Sequence, residues 1–286
     1  MPVDALSVAL RALSFITLFQ AAGMAMFIAL YGRDLSVCEP TLRKAGAISA
    51  LVAVVLVLGH YSLEAARMSG ELSGAMDPAL QSMVMHSSTS VALALRLVGL
   101  VLIAVSFRMS GAQGFASGGL GAIIALVAFT LVGHSADHSP RWLLSVLLLA
   151  HLLAVAFWFG ALLPLYVVSA REPAALAGKI VERFSALAIG IVPGLALAGF
   201  FLADLLLPNL AALGTSYGRL LILKVIGFSL LMVLAALNKW QLGPELAQGE
   251  RRAGRAFRRS LVAEYILVGA VLSVTAALTT FYSPEG

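Results

Sequence analysis

Residues 141–169 read RWLLSVLLLAHLLAVAFWFGALLPLYVVS, and past Arg141 the only side chain able to carry charge near neutral pH is His151. About twenty apolar residues, at a rise of about 1.5 Å each, cross a hydrocarbon core, and a helix satisfies its own backbone there. This stretch therefore predicts a spanning helix. Seven more stretches qualify on either side of it, at approximately 6–31, 44–64, 85–108, 117–135, 184–207, 217–240 and 258–282. They are divided by Arg33-Asp34, Asp77-Pro78, Ser110-Gly111, Ser139-Pro140, Arg171-Glu172-Pro173 and Pro208-Asn209. The expectation is an all-α polytopic membrane protein with about eight transmembrane helices, forming one integral domain over residues 1–286.

Composition agrees. Sixty per cent of the 286 residues are hydrophobic and 12% charged, and the mean hydropathy is +0.98, so a bilayer must solvate the apolar surface. The net charge of +5 does not indicate nucleic acid, because the basic residues sit mainly in short connections between apolar runs. The first apolar stretch, Leu6 to Tyr31, is longer than a signal-peptide core and reads as a retained helix. Cys38 is the single cysteine, has no partner in the chain, and is read as chemically silent. Nothing suggests catalysis: no nucleotide-binding G-x-x-x-x-G-K-[ST] occurs, and the chain is read as a non-enzyme.

Lys and Arg orient the helices. The connections after the first, third, fifth and seventh spans carry thirteen, from Arg33 to Arg259. The other side carries Arg11, Arg67, Arg141 and Arg219. Both termini are thus expected outside, with the basic loop before the eighth span facing anionic headgroups inside. Short internal matches suggest two parallel four-helix repeats. TSVALALRLVG (89–99) aligns with YGRLLILKVIG (217–227), pairing Arg96 with Lys224, and Ser14 precedes Gln20 by six residues as Ser145 precedes His151.

With that orientation all five histidines, His60, His86, His134, His138 and His151, fall in the outward half. His151 is ten residues from Arg141, about 15 Å deep, where an ionisable group is costly and usually faces a polar interior. The other four lie near helix ends, where bonding to interfacial water accounts for them equally well. Metal ligation would use them together. Met83 and His86 are three apart, and His134 and His138 four apart, so each pair would share a helical face. Met83 and Met85 place thioethers beside the His86 imidazole, a donor set that favours Cu(I) without excluding Cu(II). Met24, Met26, Met109 and Met232 read as packing, and toward the other side no histidine occurs and only scattered methionines such as Met24, Met26 and Met232 could relay a soft ion. Three buried charges stand out: Arg96, Lys224 and Asp204. Asp204 could neutralise either cation, and Glu64 lies one turn from His60.

Residues 151–165 resemble a His-x6-Trp-x-Gly-x3-Pro signature through His151, Trp158, Gly160 and Pro164, and identify the chain as similar to the copper resistance protein D (CopD) family. Arg183-Phe184-Ser185, the stretch from Gly214 to Lys224, and Ala-Ala-Leu-Asn238 agree with it. The resemblance is strongest at 140–245 and rests on length and helix count in the N-terminal half. It implies a bacterial inner-membrane copper-homeostasis protein with periplasmic termini, moving copper from periplasm to cytoplasm and supplied by a small periplasmic carrier of the CopC type. No CopC-like segment occurs in these 286 residues, so a donor is expected to be separate. Copper would arrive at His86, Met83, Met85, His134 and His138 and pass to His60 and His151. The rival is a membrane b-type cytochrome carrying electrons, with His60 and His151 as haem ligands on facing helices.

Overall fold

A computed structural model of the chain describes residues 2–132, 140–207 and 209–281. Every regular element among them is helical. In chain order these are α1 (Pro2–Tyr31), α2 (Glu39–Ser69), α3 (Pro78–Met85), α4 (Ser88–Ser106), α5 (Gly111–Val127), α6 (Arg141–Arg171), α7 (Ala174–Leu206), α8 (Ser216–Leu237), α9 (Gly243–Ala247) and α10 (Arg251–Phe281). Eight of them are long and apolar enough to cross a membrane, α3 and α9 being short. Their order alternates, so the starts of α1, α4, α6 and α8 share one face of the bundle with the ends of α2, α5, α7 and α10.

Helix ends depart from the apolar runs for local reasons. Pro40 sits in the first turn of α2, where its missing N–H costs nothing, and the helix begins at Glu39 although Arg43 and Lys44 are polar. The expected third span breaks near its start: Ser87 caps α4 by accepting from the Thr89 amide, while Asp77 caps α3 through the amides of Ala79 and Leu80.

The most apolar part of α1 is 61% buried, whereas those of α7 and α8 are 11% buried. The N-terminal helix is thus the axis, packing against α2, α4, α5, α6 and α10. Small residues permit its closest approach. A Cβ on Gly23 would collide with the Ala156 carbonyl and the Gly160 Cα of α6, and Gly160 meets Gly23 in return. In hydrocarbon, where apolar burial gives helices little reason to associate, such backbone contact supplies the dispersion energy that joins them.

Two four-helix units are visible in the pairing. In the first, α1 packs on α2, α4 on α5, and α1 on α5; in the second, α6 packs on α7, α8 on α10, and α6 on α10. One pairing differs. In the first unit α2 packs along α4, whereas its counterparts α7 and α8 make no more than glancing contact.

On the face carrying the end of α1, Glu172 after α6 closes the loop before α2. Its carboxylate accepts from the Ser36 hydroxyl at 2.5 Å and from the amides of Ser36 (3.2 Å), Val37 (2.8 Å) and Cys38 (2.8 Å). Burial alone would raise this carboxyl, yet the donors outweigh it and hold the pKa at about 2. Arg183 pairs with Asp34 beside it.

Candidate functional site

Two histidine-centred polar groups lie inside the bundle among the described residues, and α1 packs against α2 and α6, which carry the two imidazoles. The first is at the face carrying the N-terminus. His60 of α2 is 8% exposed, and its Nε2 accepts from Arg11 Nε of α1 at 3.0 Å. Glu64, one turn along, is 3.7 Å from the same imidazole nitrogen and pairs with Arg11 (3.4 Å) and Arg67 (3.3 Å). The two arginines then reach the last turn of α10. Arg11 donates to the Thr279 carbonyl at 2.8 Å and Arg67 to the Thr280 carbonyl at 3.2 Å, a position where carbonyls lack helical donors and cations are favoured. His60 is therefore the neutral acceptor at the centre of a clamp between α1, α2 and α10. Its ring nitrogen is engaged, and the guanidiniums oppose a second cation there.

The second group centres on α6. His151 Nδ1 lies 3.3 Å from the Leu195 carbonyl of α7, and a carbonyl can only accept, so Nδ1 carries the proton and Nε2 keeps its lone pair. Gly199 makes room: a Cβ there would stand 3.3 Å from His151 Cε1. The charge of Lys224, on α8, also bears on this imidazole. Two turns deeper on the same face of α6, Trp158 packs edge-on against Phe228 of α8, with ring centroids 6.3 Å apart.

The remaining candidates are dispersed. Met83, Met85 and His86 sit on and after α3 and are all exposed, His86 Nδ1 lying 2.7 Å from the Ser82 carbonyl. Met68 and Met76 are exposed in the same segment, so four of the nine methionines fall within residues 68–85. That density was readable in the sequence, but only exposure separates these thioethers from packing ones. Met24 is fully buried in the core, and Met26 and Met232 pack against it. His134 and His138 lie outside the described residues. Among the described residues no three His, Cys, Asp or Glu side chains converge in a metal-holding group.

The expected partners of the buried charges change. Asp204 is exposed near the end of α7 and pairs with neither Arg96 nor Lys224. The reason is packing: α7 borders α6 and α9, away from α4 and at most grazing α8. Arg96 instead lies over the Phe129 ring, 4.4 Å from its centroid, with Nε buried and unpartnered. Of the two histidines read as a haem pair, His60 bonds Arg11 of α1 and His151 bonds the Leu195 carbonyl of α7. Arg11 and Arg67, read from sequence only as topology signals, are the hub of the clamp between α1, α2 and α10.

Comparison with known proteins adds a family. The sequence profile described as copper resistance protein D-like, N-terminal domain, matches residues 1–140, and that described as copper resistance protein D matches residues 178–278. The inner membrane protein YebZ of Escherichia coli (strain K12) is 31% identical over 134 residues, 46% of this chain and 46% of that protein. The chain thus aligns with about half the length of this curated relative. No solved structure matches.

Proposed function

Because this chain belongs to the copper resistance protein D family, we propose that it carries copper ions across the bacterial inner membrane from periplasm to cytoplasm. The observation that carries the proposal is His151: a half-buried imidazole deep in a spanning helix, with one nitrogen fixed on the Leu195 carbonyl and the other free to bind a metal ion. Copper is the substrate here. The exposed thioethers of Met68, Met76, Met83 and Met85, with His86, form a soft outer surface suited to Cu(I) handed over by a periplasmic carrier of the CopC type. From there the ion reaches His151 and enters the interval between α7 and α8. His60 serves the clamp that holds α10 to α1 and α2, outside this route.

The test is copper accumulation in cells carrying the wild-type chain, His151→Ala, or the Met83→Leu/Met85→Leu/His86→Ala triple variant, at matched membrane levels. His151→Ala is expected to fall to the level of cells lacking the gene, and the triple variant to need more external copper for the same uptake. Wild-type uptake by His151→Ala would remove the imidazole from the route. Purified protein settles the electron-carrier alternative, because a stoichiometric Soret band would identify haem in place of transported copper.

A further inference from the structure

Helix α10 buries a carboxyl group inside the bundle. Glu264 is 2% exposed and lies thirteen residues from Arg251, about 20 Å along the helix. Two neutral groups face it: the Asn238 amide, whose Nδ2 donates to Oε1, and the Trp158 indole, whose N–H lies within electrostatic reach of the carboxyl. The elements packed against α10 are α1, α6, α8, α9 and the turn after α8. From α6 comes Trp158 and from the end of α8 comes Asn238; no cation or second carboxylate bears on Glu264 from α1 or α9 among the described residues. On α10 itself the neighbouring Tyr265 turns to the Phe159 ring, at 4.7 Å between centroids.

An ionised carboxylate without a counter-charge is expensive in such surroundings. A second atom there is also unsatisfied: Asn238 Oδ1 is buried with no donor. One proton resolves both. On Glu264 Oε2 it would remove the charge and supply an O–H donor to the same side-chain pair whose amide oxygen lacks one, while Oε1 continues to accept from Asn238 Nδ2. Asn238 also opens a π-helical turn, residues 238–242, a local widening that recurs at working sites.

We propose that Glu264, Asn238 and Trp158 form a proton-binding site, and that a copper ion entering the interval beside His151 displaces its proton. The exchange balances: one Cu(I) enters, one proton leaves Glu264 for water, and the buried charge is unchanged. The coupling partner is taken from the copper-transport reading, whereas the proton site stands on the side chains alone. Trp158 links the two, since its indole reaches Glu264 and it lies two turns below His151 on one face of α6.

Infrared difference spectroscopy of the full chain in lipid nanodiscs tests the site. At neutral pH the wild type is expected to show a protonated-carboxyl stretch that Glu264→Gln removes and Asn238→Leu shifts. Should Glu264→Gln fold poorly, Glu264→Asp displaces the same band without abolishing it. Absence at neutral pH of any protonated-carboxyl band that these variants alter overturns the proposal. Proton release on adding Cu(I) in weak buffer then tests the coupling. One proton per bound copper is expected from the wild type and none from Glu264→Gln, which still binds the ion. Copper binding without proton release in either protein overturns the exchange. A wild type that binds no copper refutes the transport reading instead, and the infrared band still decides the proton site.

Discussion

Gln20 of α1 donates its side-chain amide to the Gly160 carbonyl of α6 at 3.0 Å, and this is the carbonyl that Pro164, four residues on, deprives of its helical donor. A proline in the middle of a spanning helix would otherwise strand that oxygen in hydrocarbon. The repeat alignment pairs Gln20 with His151, which likewise bonds a backbone carbonyl of a neighbouring helix, Leu195 of α7.

Removing the Gln20 amide should cost about 1 kcal/mol, the scale of interhelical hydrogen bonds within membranes. Gln20→Leu is expected to lower stability in detergent unfolding by that amount. In a Pro164→Ala background, where the backbone N–H returns to Gly160, the same substitution should cost much less. Equal costs in both backgrounds would show that proline is not the reason for the bond.

The Gly23–Gly160 contact predicts a steric result. Gly23→Ala forces α1 and α6 apart, with a loss of about 1–3 kcal/mol as in other overpacked contacts. Gly190→Ala, at a position in α7 where an added Cβ meets nothing within 4 Å, should be close to neutral or slightly stabilising. Membrane yield and thermal aggregation temperature measure both, and similar behaviour of the two variants would contradict the assigned contact.

Glu172 gives a pH dependence. Its folded pKa, about 2, lies below the ordinary 4.5, so its contribution to stability is complete above about 4.5 and is lost as pH falls toward 2. Unfolding midpoints measured across that window should slope downward in the wild type and more weakly in Glu172→Gln. Parallel slopes would mean that the loop amides do not select the ionised form.

Cys38 is governed by the same carboxylate. Burial first, and then the negative charge of Glu172, push its thiol up to about 11, leaving little thiolate at neutral pH. Maleimide labelling of the folded protein should therefore be slow and should quicken in Glu172→Gln. Fast labelling of the wild type would show that the loop opens readily.

His60 and His151 should separate functionally. His60→Ala leaves the Arg11 and Arg67 charges crowded around Glu64 and is expected to loosen α10, lowering stability while copper binding persists. His151→Ala should spare stability and remove binding. Copper titration and unfolding of the same two preparations distinguish the roles, and loss of copper binding in His60→Ala would bring His60 back into the route.

What sequence reveals here is whatever depends on one helix at a time. Eight spans followed from run length, and the His60–Glu64 neighbourhood from helical spacing. Partners across helices did not follow. Asp204 and Arg96 are both charges within apolar runs, but whether they meet depends on which helices pack, and neither run encodes that. Arg11 looked like a topology mark because its three targets lie 49, 53 and 268 residues away. Glu264 had a legible signal, a lone carboxylate within an apolar stretch of the eighth span, whose meaning appears once Asn238 and Trp158 are seen around it.

The uneven pairing of the two units has a consequence for the medium. Where α2 packs along α4 in the first unit, α7 and α8 make little contact in the second. On the proposed route past His151, acyl chains would then form part of the wall, and the rate of uptake should follow chain length and order in the surrounding bilayer, a property that belongs to the membrane as much as to the polypeptide.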